Sequence, residues 1–538
     1  MFVQQLEPVA DSLALSALVA ALPLATVLVL LGVIRMKAHL AGLTGLAVAV
    51  VVGWLTFGMP LGQTLSAGAA GVLFGLFPIM WIVVNALWVY RLTVRTHHFD
   101  ILRRSFGRLS DDPRIQALVI AFCFGALLEA LAGFGAPVAI CSVMLVALGF
   151  DPVKAAVVSL VANTAPVAFG AMGTPVVTLA QVTGLPLDTV ASVVGRQTPL
   201  LALVVPLVLI GLVDGLRGLR ETWVPALACG VAFAVAQFAA SNYVSAQLAD
   251  IGAALAGAAA LVAVPSARRP AAEPVRVAVL TGVRSEDLDQ EDPRPEVLRA
   301  YAPYGLIVVI FSVAQIPPVK DLLAKATQVF DWPFLDVADS AGEPVGANVF
   351  SLPLVATGGT LVLLAGLFTA AVLGVRAGDA AREWAGTVYE LRYAILTVTS
   401  VLALAYVMNL SGQAATIGHF VAAAGAGLAF LSPILGWFGV AVSGSDTSAN
   451  ALFGALQVTA ANESGLSPEL LAAANSSGGV LGKMVSPQNL TIACAAVGLA
   501  GKEGDLLRKV LPWSLGLLLV MCLIVVGQST AVLGWMLP

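Results

Sequence analysis

The sequence predicts an all-α polytopic membrane protein with about 12 transmembrane helices and two re-entrant hairpins. Three observations predict this class. Of 538 residues, 59% are hydrophobic and 11% are charged, whereas ordinary soluble domains carry about 25% charged residues. Mean hydropathy is +0.94, and many apolar runs reach about 20 residues, enough to cross a bilayer as a helix. A stretch with two polar or glycine-rich breaks also occurs twice.

The repeated stretch covers about 114–185 and again about 432–499. Each copy predicts a hairpin of two apolar segments followed by a helix with its own break. The hairpins are 117–149 and 433–462, and the broken helices are 153–183 and 467–499. Four residue pairs are identical at a constant offset of 312 positions: Asn163 with Asn475, Gly170 with Gly482, Met172 with Met484, and Pro175 with Pro487.

The remaining apolar runs predict single spans, and basic residues orient them because Lys and Arg accumulate in cytoplasmic loops. The segment 91–114 is rich in arginine, whereas the loops near 58–64 and 241–250 contain no Lys or Arg. Both chain ends are therefore expected outside. The single spans are 12–34, 39–57, 65–92, 197–213, 222–243, 247–264, 299–316, 348–374, 387–410 and 510–535.

The number of membrane crossings between two loops on the same side must be even, and this rule orients the two copies. Arg114 and Arg217 both belong to basic, cytoplasmic segments, so hairpin 117–149 must enter and leave on the cytoplasmic side. Hairpin 433–462 enters from outside if 413–431 lies along the membrane surface. If 413–431 spans the membrane instead, the number of crossings in the second copy no longer agrees with the positions of its basic loops. Copies of opposite orientation form an inverted repeat, an architecture typical of secondary transporters.

The repeats divide the chain into four parts. The first inverted repeat is 1–213, and two linking transmembrane helices follow in 214–264. Residues 265–298 are polar and charged, which predicts a cytoplasmic linker. The second repeat is 299–538, in which the acidic and proline-containing segment 317–347 predicts an outside loop that partly caps the protein.

The breaks are the predicted binding site. Non-helical backbone at mid-membrane is tolerated only where it is buried or faces a cavity, and half-helix N-termini attract small anions. The alternative is that these small residues only allow close helix packing. The predicted substrate-binding residues are Gly133, Phe134, Gly135, Asn163, Thr164, Phe169, Gly444, Ser445, Thr447, Asn475, Ser476, Gly478, Lys483 and Ser486.

Three charged residues fall inside apolar segments, where an ionisable group costs about 2.5–3.5 kcal/mol and needs a partner or a function. Glu129 is the candidate proton carrier, because burial favours its protonated form; the alternative is a structural ion pair. Asp446 is a second coupling candidate or a helix cap. Lys483 could hold a substrate carboxylate directly or pair with Asp446.

Other classes of function fit poorly. A net charge of −4 argues against a nucleic-acid partner. The five cysteines have no metal-ligand spacing, and the four histidines form no set with a nucleophile or base, so neither an enzyme nor a cofactor is expected. A channel would need a continuous polar stripe, whereas the polar residues here cluster at one depth. No oligomeric state is indicated.

Eight strings around the breaks are long and specific. They are 122–129 (FCFGALLE), 132–140 (AGFGAPVAI), 163–173 (NTAPVAFGAMG), 444–448 (GSDTS), 450–453 (NALF), 478–480 (GGV), 482–484 (GKM) and 486–488 (SPQ). In these strings, and over nearly its whole length, the chain resembles the bacterial L-lactate permeases. The resemblance implies an elevator-type transporter in the bacterial inner (plasma) membrane that imports L-lactate, D-lactate, glycolate and similar 2-hydroxy monocarboxylates with H⁺.

For such a substrate, Lys483, Ser445 and Ser486 are expected to hold the carboxylate. Phe134 and Phe169 would then lie against the methyl group. A sodium-coupled carboxylate symporter of the same architecture is the alternative, because oxygens of residues such as Asp446 and Thr447 could bind Na⁺.

Overall fold

The protein is described here from a computed structural model that covers residues 1–107, 109–110, 112–133, 135–264 and 292–538. Two π-helical turns, Gly75–Met80 and Leu118–Phe124, continue neighbouring helices of the first half. The helices of this half are α1 Leu13–Ala20, α2 Leu22–Gly32, α3 Ala38–Leu55, α4 Leu61–Phe74, α5 Trp81–Arg95, α6 His98–Gly107, α7 Pro113–Ala117, α8 Gly125–Ala132, α9 Ala136–Ala147, α10 Pro152–Ala162, α11 Gly170–Thr183, α12 Leu187–Tyr243 and α13 Ala249–Ala263.

The second half is also mainly helical. A 3₁₀ turn, Lys483–Val485, separates two of its helices near the end of the chain. The helices are α14 Arg294–Ala314, α15 Pro317–Ala324, α16 Gly358–Val372, α17 Ala377–Glu390, α18 Arg392–Ser411, α19 Gln413–Val421, α20 Leu428–Ser443, α21 Asp446–Ser464, α22 Pro468–Gly482, α23 Pro487–Ala496 and α24 Glu503–Gln528.

Many helices are membrane-span candidates, as expected from composition. Within the described ranges, nine helices are long and apolar enough to cross a bilayer, or up to 11 if each of two bent pairs is one span. The bent pairs are α1 with α2, at 41°, and α10 with α11, at 64°. The described residues are therefore mostly helical and hold nine to 11 candidate spans, against the predicted count of about 12.

One helix accounts for part of that difference. α12 has 57 residues, and a straight helix of that length would measure about 85 Å against a hydrocarbon core of about 30 Å. The backbone leaves helical geometry at Asp214, Gly215 and Thr222. The two halves then pack antiparallel, because Gly230 lies against Leu203 and Thr198 donates a hydrogen bond to Gln237. The predicted spans 197–213 and 222–243 are these two halves.

Each predicted hairpin segment contains two consecutive helices joined at glycine, and re-entry into the membrane stays a prediction. In the first, α8 and α9 are joined at Gly133 and Gly135, whose φ angles are 34° and 85°. In the second, α20 and α21 are joined at Gly444, with φ 77°. Glycine adopts positive φ without the steric cost that other residues incur, which explains its presence at these tips. Entry of the hairpins from opposite faces stays a prediction.

The two broken helices differ more than their sequences suggest. Between α10 and α11 the chain turns at 163–166 and adopts left-handed geometry at 171–173. In the second copy, α22 is regular as far as Gly482, so the expected break over 475–487 is confined to 483–486. Pro166 and Gly478 occupy matching positions, and only proline removes a backbone donor and opposes a continuous helix.

Glycines bring α20 and α22 into close contact. A Cβ added to Gly436 would lie 1.8 Å from the carbonyl oxygen of Asn475. A Cβ on Gly478 would lie 2.1 Å from the carbonyl oxygen of Pro433, and one on Gly482 would lie 2.2 Å from that of Trp437. The backbones of hairpin two and its broken helix therefore touch, which positions Lys483 at the end of α22.

Short strands are an addition to the predicted all-α class. β1 Phe2–Val3 pairs in parallel with β3 Val337–Ala338, and β2 Thr327–Asp331 pairs antiparallel with β4 Val349–Pro353. The predicted loop 317–347 is thus ordered by α15 and these strands, and it lies beside the start of the chain. β4 also shortens the predicted span 348–374.

Two further predicted segments have different limits. The stretch 413–431 is not one helix, because α19 ends at Val421 and a 3₁₀ turn with Gly425 at φ 55° precedes α20. Most of the predicted linker 265–298 lies outside the described residues. The linker ends earlier than expected, because α14 begins at Arg294.

Candidate functional site

A buried ion pair joins the two repeats. Lys483 Nζ, in the turn after α22, lies 2.5 Å from Glu129 Oε1 on α8. The other carboxylate oxygen of Glu129 accepts a hydrogen bond of 2.9 Å from Asn163 Nδ2, where α10 ends. Lys483 is 7% exposed and Glu129 3% exposed. Three of the predicted site residues therefore meet at one point, and they come from hairpin one and from both broken helices.

The backbone beside this pair is shaped for it. A Cβ on Gly170 would come within 2.9 Å of Glu129 Oε1. The next residues, Ala171 and Met172, have φ angles of 44° and 59°, which costs non-glycine residues about 1–3 kcal/mol each. This strained stretch lies against the tip of hairpin one, because a Cβ on Gly133 would meet Ala171 at 3.6 Å. Strain of this kind is typical of functional sites.

Asp446 belongs to a second polar cluster. Its Oδ2 accepts hydrogen bonds from Ser476 Oγ at 2.7 Å and from Asn450 Nδ2 at 3.4 Å. Asn475 donates to Asn450 Oδ1 at 2.9 Å. Asp446 Oδ1 is buried and has no hydrogen-bond partner in the described part of the chain. Lys483 thus pairs with Glu129 and not with Asp446, the partner considered from the sequence.

The cap of α21 is also different from the sequence-based alternative. Ser445 is the N-cap residue, and its Oγ accepts a hydrogen bond of 3.2 Å from the backbone nitrogen of Ser448. Asp446 is the first residue of the helix, and its side chain is directed to Ser476 instead. Its carboxylate is therefore held by side chains of the second repeat and does not cap the helix.

Both hairpin tips contact the first turns of α23. A Cβ on Gly135 would meet Asn489 Oδ1 at 3.2 Å, and one on Gly444 would meet Gln488 Oε1 at 2.6 Å. Ser486 caps this helix by accepting from the backbone nitrogen of Asn489 at 3.4 Å. It also donates to the carbonyl oxygen of Lys483 at 2.9 Å. The tips and the second break therefore converge, with an N-terminal helix end beside Lys483.

The other predicted residues make no hydrogen bond to Lys483, Glu129 or Asp446 in the described part of the chain. Thr164 donates to the carbonyl oxygen of Val161 at 2.7 Å, a contact within its own helix end. Phe169 is fully buried in the core. Thr447 is half-buried near the tip of hairpin two. Gly478 packs on α20, as described above. Phe134, the predicted apolar contact at the tip of hairpin one, lies outside the described residues.

Sequence reasoning missed a buried carboxylate. Asp250, in the first turn of α13, is completely buried and accepts a hydrogen bond of 3.0 Å from Gln237 Nε2. The same nitrogen donates to the carbonyl oxygen of Ala165 in the first break, at 3.2 Å. The sequence did contain a signal for it: an acidic residue stands at the start of an apolar segment with no Lys or Arg nearby.

A half-open cavity of ≈ 650 Å³ is lined mainly by residues of α11, α18 and α21. Its polar lining includes Gln181 on α11, Tyr406 and Asn409 on α18, and Thr459 on α21. The residues that line it on α11 start at Val177, shortly after the break, and neither Glu129 nor Lys483 lines it. The cavity therefore reaches towards the break, while the ion pair itself is enclosed.

Comparisons with known proteins identify the family of this chain. The family model described as L-lactate permease matches residues 16–532. An L-lactate permease of Bacillus subtilis (strain 168) is 41% identical and is covered over 99% of both chains. The glycolate permease GlcA of Escherichia coli (strain K12) is 40% identical over 94% of both chains. An L-lactate permease of the same strain is 39% identical over 98% of both.

Two solved transporters align at much lower similarity. MtrF of Neisseria gonorrhoeae is 13% identical, with a TM-score of 0.48 over 88% of this chain and 85% of that one. YdaH of Alcanivorax borkumensis is 15% identical, with a TM-score of 0.44 over 87% and 86%. The family match and the sequence relatives are the decisive findings: the chain belongs to the L-lactate permease family, which consists of membrane transport proteins and not of enzymes.

Proposed function

We propose that this protein imports L-lactate, D-lactate, glycolate and similar 2-hydroxy monocarboxylates across the bacterial inner membrane by proton symport. The names of its relatives support lactate and glycolate as substrates. The buried contact between Lys483 and Glu129 is the observation on which the proposed coupling of proton and substrate transport rests. It supplies one cation for a carboxylate and one carboxylate that can take a proton.

In this proposal the substrate carboxylate replaces Glu129 beside Lys483. The turn that holds Lys483 leads into the N-terminus of α23, whose partial positive charge favours an anion. Of its first residues, Pro487 has no N–H and Asn489 donates its N–H to Ser486, so the helix dipole and not a set of free donors is the contribution here. Ser445 and Ser486 are the nearby hydroxyls, each now engaged as a helix cap. Phe169 and Phe134 remain the proposed apolar contacts for the methyl or methylene group.

Charge balance explains why a proton accompanies the substrate. Glu129 and Lys483 together are neutral, so an added carboxylate would leave one uncompensated negative charge in a buried site. Such a charge costs several kcal/mol by desolvation, on the order of a thousandfold in occupancy. Protonation of Glu129 restores neutrality, so one proton and one monocarboxylate are expected to move together.

The packing between the repeats supports an inverted-repeat, elevator-type architecture. α11 of the first repeat lies against hairpin two, where Asn450 donates to the carbonyl oxygen of Pro175 at 3.2 Å. Reciprocally, the tip of hairpin one lies against α23 of the second repeat. This exchange of contacts is the relation expected between two copies of opposite orientation. The outside location of both chain ends belongs to the same proposal.

The test is uptake of labelled lactate into proteoliposomes under an imposed pH gradient, with and without Na⁺. We expect accumulation that needs the pH gradient and is indifferent to Na⁺. In Glu129→Gln, which keeps a hydrogen-bonding side chain of the same size, accumulation should be lost while lactate exchange persists. Accumulation driven by Na⁺ alone, or unchanged accumulation in Glu129→Gln, would contradict the proposal.

A further inference from the structure

The strongest unassigned feature is Asp250 at the start of α13. It is 0% exposed, and no other residue of α13 has an ionisable side chain. A carboxylate enclosed in a membrane protein requires a partner or a function, since its charged form is strongly disfavoured there. Helix capping does not explain it, because Asp250 lies within the helix and its Oδ1 is bound by a side chain.

The hydrogen bonds of Asp250 lead to the first break. Gln237 on α12 donates through one nitrogen both to Asp250 Oδ1, at 3.0 Å, and to the carbonyl oxygen of Ala165, at 3.2 Å. Thr198 donates to Gln237 Oε1 at 3.3 Å and so orients the amide. Asp250 Oδ2 has no hydrogen-bond partner among the residues described. One oxygen is therefore anchored, and the other is available for a proton.

α13 packs on α8, which carries Glu129, and on α12 and the turn Leu118–Phe124. The last two contribute the thiols of Cys229 and Cys123, which lie against Gly257. Since Lys483 is already in contact with Glu129, an ionised Asp250 would have no counter-ion of its own within the described structure. Asp250 is thus best accommodated with a proton.

We propose that Asp250 is a second proton-binding carboxylate of the transport cycle and the donor to Glu129. This inference rests on the proposed function. When a substrate carboxylate takes Lys483, the proton moves from the Asp250 carboxyl to the Glu129 carboxylate through water between α13 and α8, because no hydrogen bond joins the two carboxyls among the described residues. Glu129 becomes neutral, and no electrons are exchanged. Water on the side to which the site opens returns a proton to Asp250 in the same step, so the buried negative charge is transient.

The link to the break gives this transfer a structural consequence. An ionised Asp250 accepts a stronger, charge-assisted hydrogen bond than a neutral one. Gln237 is then drawn towards Asp250 and away from the carbonyl oxygen of Ala165. The proton state of Asp250 is thereby coupled to the backbone of the first broken helix.

The experiment compares Asp250→Asn with wild type in proteoliposomes loaded with or without lactate. Asparagine keeps the size and the acceptor for Gln237 but cannot carry the proton. We expect pH-driven accumulation to slow by roughly a hundredfold, the scale of one positioned proton transfer, with lactate exchange within about twofold of wild type. Asp188→Asn, whose carboxylate is 93% exposed, is the matched control and should be unchanged.

Wild-type accumulation in Asp250→Asn overturns the inference, and so does an equal loss of accumulation and exchange, which indicates a structural role. Glu129→Gln measured in parallel separates the two proposals. If it accumulates lactate normally, the proposed function fails; if only Asp250→Asn behaves as wild type, only this inference fails. Should Asp250→Asn not fold, Asp250→Glu replaces it: a shifted pH profile of accumulation is expected, and an unchanged profile overturns the inference.

Discussion

Replacing Lys483 by methionine tests whether its ammonium group contacts the substrate or only neutralises Glu129. Methionine keeps an unbranched side chain but removes the cation 2.5 Å from Glu129 Oε1. A hydrogen bond to a charged group contributes about 1.5–3 kcal/mol, so lactate binding should weaken by roughly 10- to 150-fold. Removing one partner of a buried ion pair also destabilises the protein, by about 3–5 kcal/mol.

The double variant Lys483→Met/Glu129→Gln separates these effects. It leaves no unpaired charge, so thermal stability in detergent should recover relative to Lys483→Met. Lactate affinity, measured by titration calorimetry on the purified protein, should stay low because the cation is still missing. Lys509→Met, at an exposed position on α24, is the control and should change neither quantity.

Recovery of lactate affinity in the double variant would refute direct contact. That result would mean that Lys483 serves only to neutralise Glu129, and that the single variant binds poorly because an unpaired carboxylate repels the substrate. A recovery of lactate affinity by less than about threefold is no larger than the energetic coupling commonly found between residues in contact. Such a result would leave direct contact with Lys483 as the main contribution to lactate binding.

Two glycine substitutions test the packing around the site. Gly170→Ala places a Cβ 2.9 Å from Glu129 Oε1, so Glu129 must shift and lactate uptake per folded protein should fall by roughly tenfold or more. Wild-type uptake would show that Glu129 moves freely. Gly436→Ala places a Cβ 1.8 Å from the carbonyl oxygen of Asn475 and should destabilise the protein by about 1–3 kcal/mol or more, seen as a lower thermal midpoint. Gly252→Ala, with nothing within 4 Å, is the control for both.

The helix interruptions at the tips and in the first broken helix were predictable because they depend on local chemistry. Glycine at the tips, and Pro166 in the first broken helix, oppose regular helix wherever they occur. The same reasoning failed for the second broken helix, where α22 continues through Asn475 and Ser476. Those residues match the first copy in sequence, but the second copy has Gly478 where the first has Pro166, so no backbone donor is lost and the helix continues.

The sequence singled out the buried charged residues but not which of them pair with each other. Glu129, Asp446 and Lys483 stand out as charges in apolar segments, a property of composition alone. Glu129 and Lys483 are 354 positions apart, so their contact depends on how the repeats pack. Asp446 was the partner considered for Lys483 because both belong to the second copy, yet Ser476 and Asn450 hold it.

The sequence by itself determined that this is a helical membrane protein with a duplicated, interrupted core, and it singled out the charges placed there. Run length, composition and helix-breaking residues are local properties that do not depend on the packing of distant segments. Only the tertiary structure decided that Lys483 faces Glu129, that Asp446 lies in a separate cluster, and that Asp250 is buried behind the first break. Those relations arise where α8, α13 and the end of α22 come together, and contacts between segments so distant in sequence are set by the packing of the whole core.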